Sequence, residues 1–475
     1  MRTMKNYIDF RVLFLILLIN GLISSCRKYD LEGLSKTNRI ENVPPNISRA
    51  AIVNSYYDVD SIGHNIQIVS ESPRADSERS RLTQSFIPSD FYPTGFLLAP
   101  LDTLKIKAEV IVGTSLPQLL IGTYQRYENV SPQSIQLQSG ENVIVANKNG
   151  GIIWIRYSSL MPSNKTRLTF ISGHKAVPVF IKNTTTLSQW QNLFEQADTA
   201  VHDVLLIGQR VNIVLPRTYT ALKNQNNNSV LNACDKVWDT MDELSGLDGT
   251  LPLHKRLGTS HLLVNRVYAG GAAWPYVTTY SYQASFSESY ANDAWYQRHE
   301  AGHHHQQRWD WHAEIMADFY AVSVGMNWGL SRKTIARDGG WVQVWKRVKE
   351  YFDLPDSSRN YAKIWDPSIP NFISSGARFR ASAMLIQLKL AFGDTFYHEL
   401  HKQTRLEKPS LQGAASKYRY FMLKACSISG KNLTRFFFKW GFKDEEAYQQ
   451  IAALNLPLPD VDPSTLTDDP TFTLK

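Results

Sequence analysis

The stretch His299-Glu300-Ala301-Gly302-His303 contains the side chains best suited to chemistry, because it forms an H-E-x-x-H motif. On a helix, residues four apart lie almost above one another, so the imidazoles of His299 and His303 can bind one cation. Glu300 projects about 100° around the helix from His299. Its carboxylate can therefore hold a water beside the metal and leave a coordination position open, as metal-assisted hydrolysis requires. This spacing predicts a zinc site with Glu300 as the catalytic base.

A third ligand is predicted on the segment that follows. After a short break, an amphipathic segment with helical periodicity carries Glu314 near its start. Two helices joined by a short connection pack side by side, so Glu314 can complete a His-His-Glu ligand set for Zn²⁺. Asp318 lies four residues later on the same face, where it could accept the free N–H of a zinc-bound imidazole. The alternative is a histidine-rich polar helix face without a metal, because a bare H-E-x-x-H also arises by chance.

Other histidines and cysteines fit structural roles better. His304 and His305 lie on other faces of the first helix, and we expect them to be surface or structural residues. Cys234 and Cys426 could form a disulfide in an exported protein or remain as buried thiols. Neither belongs to a C-x-x-C motif, so the sequence disfavours a cysteine-based zinc or redox site.

The first part of the chain has the periodicity of strands. Between residues 104 and 110, apolar side chains alternate with polar ones, which is the pattern of a half-buried strand. Two apolar runs flank Asn149-Gly150-Gly151, and this arrangement predicts a hairpin. Several short strands with turn signals between them indicate an antiparallel β-sandwich-like domain over residues 76–185.

Residues 186–455 have mixed elements at first and mainly helices later, and we assign them to the catalytic domain. One predicted helix has an apolar stripe from Val230 to Leu244, with Ser229 as its N-cap. Residues 261–267 are a strand candidate. Residues 456–475 are rich in Pro, Thr and Asp and are expected to form an extended or frayed tail. The predicted fold class is α+β, with a sandwich-like domain before a catalytic domain whose C-terminal part is mainly helical.

The N-terminus has the features of an export signal. Arg2, Lys5 and Arg11 precede an apolar run from Val12 to Ile23. The run is shorter than the roughly 20 residues of a membrane span, and small residues follow it. These features predict a signal peptide over residues 1–25.

The end of this signal resembles the lipobox of bacterial lipoproteins, in which a cysteine is acylated after cleavage. The stretch is Ile23-Ser24-Ser25-Cys26. We therefore predict lipid attachment at Cys26, a linker over residues 26–75, and membrane association through the lipid at the bacterial outer membrane or cell surface. The alternative is an ordinary signal peptide with an incidental cysteine.

The composition excludes some classes of partner. The chain has 475 residues, of which 43% are hydrophobic and 20% charged, and these values exclude wholesale disorder. The net charge of +8 is spread along the chain without a block of Lys and Arg. We therefore expect no nucleic-acid partner. We expect a monomer.

The motif and its continuation resemble the M60 (enhancin-like) metallopeptidases. Their usual pattern is H-E-x-G-H, then N-H-Q-Q and a later glutamate. This chain continues its motif with His305-Gln306-Gln307, a Trp-x-Trp and Glu314, and weaker similarity extends over most of the mature chain. Two departures are Arg298, where many members have Trp, and the residues after Glu314, where members tend to have V-T-N-N. Neither departure removes a ligand or the base, but subsite preference could differ.

The resemblance implies a gluzincin-type fold and endopeptidase action on glycoproteins, often mucin-like proteins with O-glycans. The implied partner is therefore a glycoprotein or mucin substrate. The competing hypothesis is a non-catalytic surface lipoprotein that binds glycans or proteins on a peptidase scaffold. The presence of Glu300 argues against it, because a binding module has no need for the base. An aminopeptidase would need a G-x-M-E-N-like segment, which the sequence lacks.

The residues that contact substrate stay open at this point. The donor to the tetrahedral oxyanion is expected to be a Tyr or His, and three tyrosines are among the candidates: Tyr280, Tyr282 and Tyr361. Residues 261–267, or the stretch after Pro275, could offer a strand edge to an extended substrate. Three tryptophans could stack on sugar rings or belong to the core: Trp274, Trp309 and Trp311.

Overall fold

The computed structural model describes residues 56–268, 271–364 and 374–474. The predicted signal peptide, the lipid attachment at Cys26 and most of the predicted linker lie outside the described residues. The described residues all belong to one compact unit. None of the helices in the three described ranges is both long enough and apolar enough to cross a membrane.

The described strands come first in the chain, and most of the helices follow them. The strands, numbered in chain order, are β1 (Ile66–Ser70), β2 (Ser72–Pro73), β3 (Phe91–Leu98), β4 (Thr103–Val112), β5 (Gln118–Ile121), β6 (Gln133–Gln136), β7 (Gly140–Val145), β8 (Gly151–Arg156), β9 (Ser158–Ser159), β10 (Lys165–Ser172), β11 (Lys175–Ala176), β12 (Val179–Ile181), β13 (Asp203–Ile207), β14 (Val211–Pro216), β15 (His261–Asn265), β16 (Ala272–Trp274) and β17 (Val277–Tyr280). The α-helices are α1 (Ala75–Leu82), α2 (Leu187–Gln196), α3 (Asn227–Leu244), α4 (Trp295–His305), α5 (Ala313–Asn327), α6 (Val344–Phe352), α7 (Ser374–Phe392), α8 (Asp394–Glu407), α9 (Gly413–Ser429), α10 (Thr434–Lys439) and α11 (Glu445–Ala453).

Two antiparallel sheets form the predicted β-sandwich. One sheet has the strand order β1-β10-β4-β7 and the other has the order β11-β3-β8-β5-β6. In β4 the side chains of Leu104, Ile106 and Ala108 are buried and the side chains between them are exposed, so the predicted alternation is confirmed as far as Ala108. Val110, which the pattern placed on the buried face, is exposed. The three buried residues share a core with Leu98 and Trp154 of the second sheet. Strand β1 lies within the predicted linker, whose end therefore belongs to the sandwich instead.

The predicted hairpin at Asn149-Gly150-Gly151 is wrong. Strand β7 pairs with β4, whereas β8 pairs with β3 and β5, so the turn connects the two sheets. The turn itself is present, because Gly150 and Gly151 have φ angles of 56° and 126° that favour glycine. A turn signal identifies where the chain reverses but does not identify the partner of each strand.

A six-stranded mixed sheet lies between the sandwich and the helices, with the strand order β12-β13-β14-β15-β17-β16. Successive side chains of a strand point to opposite faces. Accordingly, Leu205 and Val214 pack in the sandwich core, whereas Leu206 and Ile213 pack in the helical core. Strand β12 precedes residue 186 and β13 follows it, so both sides of the predicted domain boundary contribute to one sheet. The boundary itself stays a prediction.

The apolar stripe predicted between Val230 and Leu244 lies on α3 and is buried against the sheet and the neighbouring helices. The predicted N-cap is wrong, because Asn226 caps the helix and accepts a hydrogen bond from the backbone N–H of Ser229. Both residue types are favourable caps. Cys234 and Cys426 are buried free thiols.

The protein has the predicted α+β fold with a mainly helical C-terminal part. The last described residues, 456–474, contain no strand or α-helix, but they are not frayed. Leu474 is buried, and the carboxylate of Asp468 accepts a hydrogen bond from Trp341 Nε1 at 2.9 Å. The C-terminal segment is therefore part of the helical body.

Candidate active site

Helices α4 and α5 hold the predicted ligands because they pack at close range. Helix α4 is buried along almost its whole length. A Cβ atom on Gly302 would lie 3.0 Å from the carbonyl oxygen of Ala317, so glycine allows the two helices to approach. The side chain of His312 caps α5 by accepting from the N–H of Ile315, which places Glu314 in the first turn.

His299, His303 and Glu314 form the only cluster of three potential metal ligands among the described residues, with donor atoms within 4.8 Å of one another. His299 Nε2 lies 3.4 Å from Glu314 Oε2, and His303 Nε2 lies 3.6 Å from Glu314 Oε1. Two ligands bound at 2.0–2.1 Å to a tetrahedral zinc ion are about 3.3 Å apart. The donor types and their spacing therefore fit a divalent cation such as zinc.

Two of the three candidate ligands have the protonation state that binding of a cation requires. Burial, with the neighbouring His299, lowers the pKa of His303 to about 4, so this imidazole is neutral. A hydrogen bond with His299 lowers the pKa of Glu314 to about 2, so this carboxylate is ionised. Burial alone would lower the pKa of His299, but Asp318 and Glu314 raise it to about 10. A metal must therefore displace a proton from His299.

Glu300 lies beside this cluster and is buried. The backbone N–H of Ala273 on strand β16 hydrogen-bonds its carboxylate, and its Oε2 atom is buried without a hydrogen-bond partner. Burial raises the pKa of Glu300 to about 7, against the opposing effect of the His299 charge. A carboxylate with a free oxygen and a pKa near neutrality is suited to act as a general base.

Asp318 lies where the sequence predicted it, next to the first histidine. Its Oδ1 atom is 2.9 Å from His299 Nδ1, and its side chain is fully buried. Such a contact would fix the orientation of this imidazole, with its Nε2 atom towards Glu314.

Sequence reasoning missed two polar neighbours of the cluster. Arg378, on α7, donates hydrogen bonds to both Asp318 and Glu314, and nothing in its sequence surroundings indicated this contact. Gln306 places its amide nitrogen 3.2 Å from His303 Nδ1. The same amide nitrogen donates to the Ala313 carbonyl at the start of α5. The H-Q-Q continuation of the motif was the available signal for Gln306.

His304 and His305 lie outside the metal cluster and are buried rather than on the surface. His304 Nε2 is 3.0 Å from the hydroxyl of Thr278, and the His305 ring contacts the side chain of Asp242. Both histidines are therefore structural residues and not surface residues, which were the two roles expected from the sequence. Arg298, the departure before the motif, donates to backbone carbonyls on the core side of α4 and not in the cleft.

The cluster opens into a cleft of about 650 Å³. Ser85 and Phe86, from the segment after α1, line one part of it, and Ala272 and Ala273 of β16 line another. The sandwich region and the edge of the mixed sheet therefore both contribute to the walls.

The aromatic candidates separate into core and cleft residues. Trp309 is fully buried in the helical core. Trp311 is partly buried and lines the cleft, whereas Trp274 is partly buried and donates its Nε1–H to Thr279. Among the candidate tyrosines, Tyr361 donates its hydroxyl to the Ala381 carbonyl, and Tyr282 is exposed. Tyr280 is buried. Burial raises the pKa of its hydroxyl, and the nearby Glu300 charge raises this pKa further.

The family model for peptidase M60, enhancin and enhancin-like, matches residues 173–441. This chain belongs to the peptidase M60 family. The matched region is more than half of the chain and contains the metal cluster and Glu300. The protein is therefore a metallopeptidase by family, and the expected resemblance is confirmed. No protein with curated annotation matches the sequence of this M60 peptidase.

Solved structures share the fold of this M60 peptidase. A functionally unknown conserved protein from Bacillus anthracis is 24% identical, with a TM-score of 0.70 over 85% of this chain and 81% of its own. The ZmpB metallopeptidase from Clostridium perfringens is 17% identical, with a TM-score of 0.69 over 84% and 82%. The M60 catalytic domain of ZmpC from Clostridium perfringens, in complex with the sialyl T antigen, is 18% identical, with a TM-score of 0.63 over 84% and 82%. Similarity at these identities shows a common fold.

Proposed function

We propose that this protein is a gluzincin-type zinc endopeptidase that cleaves O-glycosylated, mucin-like proteins. In this proposal His299, His303 and Glu314 hold the zinc ion and Glu300 is the general base. The observation that carries the proposal is the convergence of the three ligands within 4.8 Å. The neighbouring carboxylate of Glu300 has a buried oxygen without a partner, which supports its role as base.

The reaction follows from the positions of these side chains. A zinc ion held by His299, His303 and Glu314 would supply Lewis-acid activation of the scissile carbonyl and of the attacking water. Glu300 accepts a proton from the attacking water and delivers it to the leaving amine. Asp318, 2.9 Å from His299 Nδ1, keeps the Nε2 atom of that imidazole directed at the cluster. Glu300 is buried and also lines the cleft.

Strand β16 is the proposed binding edge for the peptide. It is the last strand of the mixed sheet among the described residues and pairs with β17 on one side. Ala272 and Ala273 line the cleft on its other side. An extended peptide can add to such an edge through backbone hydrogen bonds, and this position brings its carbonyl groups towards Glu300.

The proposed substrate class rests on the family and on two solved structures. One is the ZmpC catalytic domain in complex with the sialyl T antigen, and the other is a metallopeptidase in complex with the Tn antigen. These complexes concern other proteins. They support the proposal that this M60 peptidase also acts on glycoproteins, with Trp311 in the cleft as a candidate contact for a sugar ring.

The proposed location rests on the sequence alone. Export by the signal peptide and acylation at Cys26 would anchor the enzyme as a monomer in the outer membrane, at the cell surface. The rival function, a surface lipoprotein that binds glycans without cleaving them, is supported by no specific contact among the described residues.

The test is cleavage of an O-glycoprotein and of its enzymatically deglycosylated form by the chain from residue 27 onward. We expect cleavage of the glycosylated form only, loss of cleavage after chelation, and recovery with added zinc. Equal cleavage of both forms would contradict the glycan dependence. Binding of the glycoprotein by the zinc-loaded protein without any cleavage would contradict the peptidase and favour the rival function.

A further inference from the structure

A guanidinium group from helix α7 contacts both acidic side chains at the metal cluster. Arg378 donates from Nε to Asp318 Oδ2 at 2.7 Å and from Nη2 to Asp318 Oδ1 at 2.9 Å. Its third nitrogen, Nη1, donates to Glu314 Oε2 at 3.0 Å. One arginine therefore fixes two carboxylates that lie one turn apart on α5.

The contact with Asp318 sets the plane of a buried carboxylate. Asp318 has no exposed side-chain surface, and the terminal torsion of an aspartate is broad when nothing restrains it. A bidentate pair with arginine fixes that torsion. In the fixed plane, Oδ1 lies 2.9 Å from His299 Nδ1, which is the contact that orients this imidazole.

The contact with Glu314 restrains the ligand that has the most freedom. The Glu314 side chain is 42% exposed, whereas those of His299 and His303 are 9% and 10% exposed. A flexible side chain loses rotamer entropy when it binds a metal. Arg378 restricts Glu314 beforehand, and such preorganisation increases affinity.

We propose that Arg378 is a positioning residue of the metal centre, which holds Glu314 and Asp318 in the arrangement that binds zinc. This inference rests on the proposed zinc site and adds a residue from a third helix to it. Lysine cannot replace this arginine, because a single ammonium group lacks the planar fork that reaches three oxygens.

Helices α5 and α7 do not need Arg378 in order to pack together. The hydroxyl of Ser382, one turn further along α7, donates to the backbone carbonyl of Ile315 at 2.9 Å. Apolar residues of both helices share one core, among them Met316 of α5 and Met384 of α7. Ser382→Ala thus provides a matched control that weakens the same helix contact without touching Glu314 or Asp318.

The experiment measures the dissociation constant of Zn²⁺ alone, by competition with a chromophoric chelator, for the folded protein from residue 27 onward. The variants are Arg378→Gln, Arg378→Lys, Ser382→Ala, Asp318→Asn and the double variant with Arg378→Gln and Asp318→Asn. We expect zinc to bind about 10- to 100-fold more weakly to Arg378→Gln, as for other partners of metal ligands. Arg378→Lys should recover little of the loss, and Ser382→Ala should bind zinc like the wild type while it melts at a lower temperature.

The double variant provides a readout that a general loss of packing would not give. Because Arg378 acts partly through Asp318, the double variant should bind zinc more tightly than the product of the two single effects predicts. Zinc affinity of Arg378→Gln within twofold of the wild type would overturn the inference, and so would an equal loss in Ser382→Ala. If the wild type binds no zinc, the proposed metal site fails as well. If it binds zinc in a His303-dependent manner and Arg378→Gln is unaffected, only the role of Arg378 fails.

Discussion

His305 and Asp242 form a buried pair, with His305 Nε2 3.0 Å from Asp242 Oδ1. The other ring nitrogen of His305 lies 2.8 Å from the Ala301 carbonyl oxygen, and Arg210 contacts the second oxygen of Asp242. This histidine, two residues after the second predicted ligand, therefore connects α4 to α3 and does not reach the metal cluster.

The pair predicts different consequences for two histidines that are close in sequence. His305→Ala should lower the free energy of unfolding by about 1 to 3 kcal/mol, because a buried carboxylate loses a hydrogen-bonding partner, and should still bind one zinc per chain. His303→Ala should lose the zinc. Urea unfolding and metal analysis of both variants provide the measurement. A folded His305→Ala protein without zinc would show that this histidine belongs to the metal site.

The wall of the cleft depends on a buried contact of Gln307. Its side-chain nitrogen donates to the Leu82 carbonyl at 3.1 Å, and its side-chain oxygen accepts from the Thr83 hydroxyl. Only Gln84 separates these residues from Ser85 and Phe86, which line the cleft. Gln307→Ala should raise KM for a protein substrate about tenfold, which corresponds to 1.4 kcal/mol of lost binding, with a smaller change in kcat. Steady-state kinetics would test this, and a fall in kcat at constant KM would contradict it.

The carboxylate of Glu71 predicts a stability change in acid. It is buried and accepts hydrogen bonds from Ser115, from both nitrogens of Asn164 and from the backbone of Ser163. Burial alone would raise the pKa of Glu71, but these hydrogen bonds lower it from 4.5 to about 2. Because the folded value is the lower one, the stabilisation is present above pH ~4.5 and is lost as the pH falls towards ~2.

The comparison is between the wild type and Glu71→Gln in urea unfolding at pH 6 and pH 3. The free energy of unfolding of the wild type should exceed that of Glu71→Gln at pH 6, and this difference should be about 2 kcal/mol smaller at pH 3. A difference in the free energy of unfolding that stays constant between the two pH values would show that the Glu71 charge does not contribute as described.

The C-terminal segment is predicted to stabilise the helical body through Asp468. Its carboxylate accepts hydrogen bonds from Trp341, Trp345 and Arg332. Asp468→Asn should lower the free energy of unfolding by about 1 to 3 kcal/mol, because the amide cannot accept hydrogen bonds from all three donors. Asp460, whose side chain is 93% exposed, provides the control, and Asp460→Asn should change stability by less than about 0.5 kcal/mol. Equal melting temperatures for the two variants would contradict this role of the segment.

The parts of the fold that follow from local spacing could be predicted from the sequence. The alternation in β4 and the stripe on α3 depend on strand and helix periodicity, and both are present. The proposed ligands His299, His303 and Glu314 lie within a short stretch of chain, so two adjacent helices suffice to bring them together.

The parts that depend on distant partners could not be predicted. Arg378, which contacts the cluster, lies 60 residues after Asp318 in the sequence. Phe86, which lines the cleft, lies before strand β3 and therefore more than 200 residues before the cluster. Neither has a local pattern that indicates its partner. The same reason explains the wrong hairpin at Gly150, where the turn was correct and the pairing of the strands was not.

The most direct measurement compares Glu300→Gln with the wild type in zinc content and in kcat/KM on one glycoprotein substrate. Glutamine keeps the shape of the side chain but cannot accept a proton, so the variant should retain one zinc per chain and lose about 10³-fold or more in kcat/KM. Glu128→Gln, at an exposed position in the sandwich, should keep both properties. A Glu300→Gln protein that holds zinc and cleaves at the wild-type rate would contradict the assignment of this residue as the base.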